Sequence, residues 1–195
     1  MISTLKQVAL LLRITNSQDI IRRYFVVNGF DGALTMLGII VGFSLGSTAS
    51  LTVTINACVG ATIALAISGL SSAYISEHAE LKRTLVELEN IMLVNMENTA
   101  HGQAARWVPI FVALVNGLSP LVISLLIIAP LWLADAGFSL IVPPLLMASI
   151  IAMTLIFFLG IFLGHVSGVS WLISGLRTLL ISLVTIFLIY LFSKK

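Results

Sequence analysis

Charge is scarce in this sequence. Only 9% of its 195 residues are Asp, Glu, Lys or Arg, against roughly 25% in a soluble globular protein. Ten basic and eight acidic side chains cannot cover a water-soluble domain of this size when 59% of the residues are hydrophobic and the mean hydropathy is +1.13. Cysteine is nearly absent. Cys58 stands alone, which excludes a disulfide-stapled secreted domain, a Cys-rich zinc module and an iron–sulfur protein. A net charge of +2 is too small to point to nucleic acid. No enzyme chemistry is visible either. His165 and Ser167 are close in sequence, but residues two apart on a helix do not face each other, and nothing supplies an orienting acid. The composition describes an integral membrane protein.

Crossing ~30 Å of hydrocarbon takes about 20 apolar residues. Five runs qualify: Phe25–Leu45, Leu51–Ile75, Val108–Leu133, Phe138–Gly164 and Trp171–Phe192. The expected fold is therefore an all-α membrane protein of five transmembrane helices. Pro120, Pro130, Pro143 and Pro144 predict kinks or short breaks in spans three and four. Before the first span, Leu5, Val8 and Leu12 recur at helical spacing beside Lys6 and Arg13. This reads as an amphipathic helix on the membrane surface, with a frayed tail as the alternative, and not as a signal peptide. The organisation that follows is an N-terminal interfacial segment (1–23), spans one and two (24–75), a charged insertion (76–107), and spans three to five with a short tail (108–195). Lys6, Arg13, Arg22, Arg23, Lys82, Arg83, Arg106 and Arg177 fall on one side, and only Lys194 and Lys195 on the other. Basic residues accumulate on the cytoplasmic side, so the N-terminus is expected inside and the C-terminus outside. No targeting segment favours an organelle, and a prokaryotic plasma membrane is the expected location.

Two places carry polar chemistry. Glu77, Glu80, Lys82, Arg83, Glu87, Glu89, Glu97 and Arg106 crowd into residues 76–107, which hold no proline and one glycine, Gly102. The segment continues span two in helical register and is expected to form one or two cytoplasmic helices. At 100° per residue, Glu77, Glu80 and Glu87 share an arc of about 80°. Met92 and Met96 are four apart, as are Glu97 and His101. Carboxylates and imidazole suit divalent metals, and thioethers the softer ones. The alternative is a solvated face with ordinary Glu/Lys pairing. Asp31 is the sharper signal. It lies roughly 9 Å inside span one at 1.5 Å per residue, where an ionisable group costs a few kcal/mol and marks a functional site by default. On a helical wheel it shares a stripe with Gly38, Gly42 and Gly46, a surface that admits a close helix neighbour. The expectation is that Asp31 faces protein or a cavity. A structural ion pair with Arg177, at matching depth in span five, is the competing reading. Gly60, Ala64 and Ser68, and likewise Gly160, Gly164 and Gly168, predict tight helix packing.

These residues resemble a known family. Val27-Asn28-Gly29-Phe30-Asp31-Gly32-Ala33-Leu34-Thr35, opening the first of five spans, resembles the N-D-G-(L)-x-T signature of the vacuolar iron transporter family. Ser-Ala-Tyr-Ile-Ser at 72–76 is similar to that family's G-E-Y-V-S, Gly117-Leu118-Ser119-Pro120 to its G-x-x-P, and Ser174-Gly175-Leu176-Arg177 to the S-G-L-R entry of its last span. The resemblance covers about residues 22–192. It implies a homodimer that exports Fe²⁺ or Mn²⁺ from the cytosol by proton antiport along a path at the dimer interface. Asp31 would be the metal or proton site within the membrane. Glu77, Glu80, Glu87, Met92, Met96 and Glu97 would collect the ion on the cytoplasmic helices. Where members of that family carry Met and Glu near the end of span two, this chain has Gly69 and Ala73. The alternatives from other classes are a non-transporting membrane scaffold and a metal-binding sensor, both acting through the acidic helices. The expected partners are the metal ion, membrane lipid and a second copy, with no nucleic acid and no resident cofactor.

Overall fold

The computed structural model describes residues 17–46 and 50–193. Five helices follow one another: α1 (Ser17–Leu45), α2 (Leu51–Met92), α3 (Ala100–Asp135), α4 (Pro144–Val166) and α5 (Trp171–Ser193). No strand occurs among the described residues. Each helix is long and apolar enough to cross a membrane, and the protein is a multi-pass, all-α membrane protein. The interfacial helix expected around Leu5–Arg13 lies outside the described residues. At 42 and 36 residues, α2 and α3 are about 63 and 54 Å long at 1.5 Å per residue. Both exceed the hydrocarbon thickness, so their charged ends need not lie in lipid.

Proline acts differently in the two spans where kinks or short breaks are expected. α3 runs unbroken through Pro109, Pro120 and Pro130, although each lacks the N–H that a helix interior uses. In lipid the alternative to a helix is worse, because every exposed backbone group costs more than one missing bond. Span four, in contrast, starts late. Residues 138–143 are irregular despite their apolar character, and α4 begins with Pro144 at its first position after Pro143, where a fixed φ is pre-organised and no N–H is lost. The α4 C-terminus closes with Gly168 at φ +66° and the Val169 N–H donating to the Gly164 carbonyl at 3.1 Å. That is the Schellman arrangement, and it turns the chain into α5.

The chain divides into two compact units. One takes in Val26–Ala66 and the chain from Ser119 onward. Its core is Met36, Leu37 and Ile40 from α1, Ile55 and Cys58 from α2, Ile127, Ile128 and Leu131 from α3, and Ala148, Ala152 and Ile156 from α4. Lipid tails are as apolar as these side chains, so close packing rather than water exclusion selects the arrangement. Glycine makes that packing possible. A Cβ at Gly32 would sit 2.9 Å from the Pro120 Cα, one at Gly164 2.7 Å from the Ser174 Cβ, and one at Gly175 2.6 Å from a Phe157 ring carbon. The expected tight packing at Gly160 and Gly164 is thus present between α4 and α5, where the Thr178 hydroxyl also donates to the Ile156 carbonyl at 3.1 Å. Gly168 serves the turn instead, and among the described residues nothing lies within 4 Å of a Cβ added at Gly60.

The other unit takes in the chain up to Phe25 and Ile67–Leu118. Its core is small: Ala104, Val108 and Val112 of α3, with Ile20, Ile21 and Tyr24 of α1 and Leu81 of α2 packed around them. The charged insertion is helical on both flanks and breaks only over residues 93–99. Neither proline nor glycine marks that break. Leu93 takes a left-handed φ of 52°, the Glu89 carboxylate accepts the Met96 N–H at 2.7 Å, and the Asn95 side chain accepts the Glu97 N–H at 2.9 Å. Side chains competing for backbone donors stop one helix and start the next.

Candidate functional site

Asp31 is exposed on α1. The buried face of that helix is Gly29, Gly32, Ala33, Met36, Leu37 and Ile40, at three- and four-residue spacing, and Asp31 lies on the opposite side. The two glycines that flank Asp31 are the ones in close contact. A Cβ at Gly29 would meet the Ser119 hydroxyl at 3.0 Å, and Gly32 faces Pro120. Among the described residues the stripe that shares the Asp31 face is open: nothing lies within 4 Å of a Cβ added at Gly42, and Gly38 meets only the tip of Ile189 at 3.9 Å. Among the described residues, Asp31 thus lies on the exposed face of α1, whereas the expectation is that it faces protein or a cavity. The ion pair with Arg177 is also not formed. The ion pairs among the described residues are Arg22 with Asp19 and Arg83 with Glu87.

The acidic residues of the insertion have separate environments. Glu77, two residues beyond the apolar run of α2, is 4% exposed. It accepts a hydrogen bond from the Tyr24 hydroxyl at 3.2 Å, and Arg23 lies over the Tyr24 ring at 5.8 Å. Burial pushes the Glu77 carboxyl above its ordinary range, and the Tyr24 hydrogen bond pulls it back. Glu80 is exposed, and Glu87 is engaged by Arg83 at 2.9 Å. The shared arc of these three carboxylates is real in the helix, but burial separates Glu77 from the other two. Met92 ends α2, Met96 and Glu97 belong to the connecting turn, and His101 is on α3, so a continuous helical register between Met92 and Met96 or Glu97 and His101 does not hold. Among the described residues no three of His, Cys, Asp and Glu come together in a way that could hold a metal ion. The sequence pattern missed Tyr24, because its partner is 53 residues away.

No family model matches the chain, and no solved structure matches it significantly. Among curated proteins, the uncharacterized protein MJ0645 of Methanocaldococcus jannaschii is 30% identical over 176 residues, covering 88% of either chain. The chain belongs to the family of that archaeal protein.

This member of the MJ0645 family also answers what replaces Met and Glu near the end of span two. A Cβ at Gly69 would lie 3.1 Å from the Asn116 carbonyl oxygen and 3.3 Å from the Gly117 Cα. The Asn116 side-chain amide donates to the Gly69 carbonyl at 2.7 Å, and Ala73 is 3% exposed. Position 120 is proline, so the Asn116 carbonyl has no N–H four residues on to receive. A side chain at 69 would need the α3 backbone at Asn116 and Gly117 to give by a few tenths of an ångström. Asn116 is a polar residue inside an apolar run, and a search for ionisable groups alone passes over it.

Proposed function

We propose that this protein is a divalent-metal transporter that exports Fe²⁺ or Mn²⁺ from the cytosol in exchange for protons, along a path at the interface of a homodimer. The observation that carries the reading is Asp31: an acid inside an apolar helix, with no ion pair among the described residues, on a face where Gly38 and Gly42 leave room. An intramembrane carboxylate needs a partner, and a cation, a proton or a second Asp31 each supplies one. Two copies related by a two-fold axis would bring two carboxylates to one site. On this reading the N-terminus is cytoplasmic, and Glu77, Glu80 and Glu97 meet the ion before it enters.

The test is Fe²⁺ and Mn²⁺ flux into proteoliposomes, with and without a pH gradient. Wild-type protein should move metal faster when protons run the other way. Asp31→Asn keeps the shape, removes the charge, and should abolish flux at an unchanged yield of folded protein. Recovery of flux in Asp31→Asn with Arg177→Gln would show that Asp31 only balances a charge, and the transport role would fall. A non-transporting scaffold is favoured by one observation, the Gly69–Asn116 contact that fills the place of the Met and Glu. Absence of flux for both metals in wild-type vesicles, together with no metal binding by the detergent-solubilised protein, would select it; binding without flux would select the sensor.

A further inference from the structure

We propose that the groove between the charged end of α2 and the start of α3 binds the phosphate of an anionic phospholipid headgroup. The groove has a volume of about 840 Å³, within the size range of small-molecule sites. Tyr74, His78 and Lys82 line it from one face of α2, and Arg106, Trp107 and Ile110 from α3. The placement along the two helices is what identifies the ligand. The apolar run of α2 ends at Ile75 and that of α3 begins at Val108, so Tyr74, Trp107 and Ile110 mark the hydrocarbon edge. Lys82 and Arg106 lie beyond it, on the headgroup side. Aromatic rings at this level and basic side chains just outside it are the arrangement that recognises anionic lipid.

Lys82 and Arg106 are both exposed, and among the described residues neither has an ion pair or hydrogen bond. The cations are therefore available. Tyr74 and His78 are stacked, with ring centroids 5.6 Å apart and an 11° interplanar angle, which forms a flat wall above the apolar boundary. Glu97 is the acid in the lining. One carboxylate against two cations leaves the groove attractive to a monoanion, and Asn98 and Gln103 add neutral hydrogen-bonding groups for headgroup hydroxyls. A free phosphate offers the same anion but gains nothing from Trp107 and Ile110, which are 50% and 37% exposed at the groove's apolar end. A phospholipid uses both ends.

The test is native mass spectrometry of the full chain in detergent, offered equal amounts of phosphatidylglycerol and phosphatidylcholine. Wild-type protein should retain phosphatidylglycerol selectively. Lys82→Gln with Arg106→Gln should weaken that retention about thirtyfold, two basic contacts each contributing roughly one unit of lipid-surface attraction. Lys82→Arg with Arg106→Lys keeps both charges and should keep selectivity, which separates charge loss from misfolding. Equal retention of the two lipids by wild-type protein, or undiminished selectivity in the double Gln variant, would overturn the proposal. Displacement of phosphatidylglycerol by millimolar inorganic phosphate would overturn the lipid as the source of the anion.

Discussion

Each of the two compact units is held together internally by its own means. In the unit of Val26–Ala66 and Ser119 onward, the decisive contacts are places where a side chain is missing: Gly32 on Pro120, Gly164 on Ser174, Gly175 on Phe157. In the unit around Ile67–Leu118 the buried apolar core is small, and hydrogen bonds from Tyr24 to Glu77 and from Asn116 to Gly69 join its helices as well. Lipid explains the contrast. Where both sides of a contact are apolar, burial gains little and fit decides. Toward the ends of the apolar runs, a buried polar group must find a donor or acceptor, and once found that bond fixes the geometry.

The largest expected effect tests fit against openness on one helix. Gly32→Leu drives a branched side chain into the Pro120 backbone, which is 2.9 Å from where its Cβ would lie. Overpacking in a closed site costs about 1–3 kcal/mol, and more when the obstacle is backbone. Gly32→Leu should therefore lose most of the folded protein, read as the monodisperse peak in detergent. A Cβ at Gly42 meets nothing within 4 Å among the described residues, so Gly42→Leu has no such obstacle there. It should fold normally, and it should shift a dimer toward monomer if that face is the one two copies share. Equal tolerance at 32 and 42 would mean that glycine contacts do not organise this unit.

The next effect belongs to the polar unit. Tyr24→Phe removes the hydroxyl that donates to the buried Glu77 at 3.2 Å and leaves a carboxylate with less solvation than water gave it. Hydrogen bonds to charged groups contribute about 1.5–3 kcal/mol, and this long one belongs at the lower end. Unfolding in a denaturing-detergent titration should begin earlier for Tyr24→Phe, by about 1–2 kcal/mol on the same scale. Glu77→Gln keeps an acceptor for Tyr24 and should lose less. If Tyr24→Phe proved silent, the polar contact would be a consequence of packing and not its cause.

Much of the architecture was legible because it depends on one-dimensional quantities. Apolar run length places all five spans, and the absence of a breaker in 76–92 carries α2 far past its span. Errors arose where a third dimension decides. Pro120 and Pro130 do not break α3, since helix is the best available state inside lipid, whereas Pro143 and Pro144 delay α4 because they sit at an end where starting a helix on proline is easy. The wheel put Asp31 correctly beside Gly38 and Gly42, but spacing alone could not tell which glycines are packed; the closed pair is Gly29 and Gly32. Glu77, Glu80 and Glu87 look equivalent on a helix. Only the fold brings Tyr24 to one of them.

The smallest expected effect lies where the polar unit meets water, and it sharpens the comparison by its size. Arg83 and Glu87 are one helical turn apart, their ion pair is 2.9 Å long, and their side chains are 82% and 58% exposed. Holding two long side chains in one geometry costs entropy, and water and salt screen the attraction. Pairs of this kind contribute about 0.3–0.5 kcal/mol at most. Arg83→Gln should shift the same detergent titration by less than Tyr24→Phe does, and raising the salt should erase even that shift. Its second consequence is chemical. Releasing Glu87 from Arg83 leaves Glu80 and Glu87, which line one shallow depression on α2 with Arg83 between them, without the cation that repels a metal ion. If the acidic face collects divalent ions, Arg83→Gln should bind Mn²⁺ more tightly than wild type in a calorimetric titration. If the face is merely solvated, the variant will bind no better, and the cost of losing Arg83 will be the small electrostatic one alone.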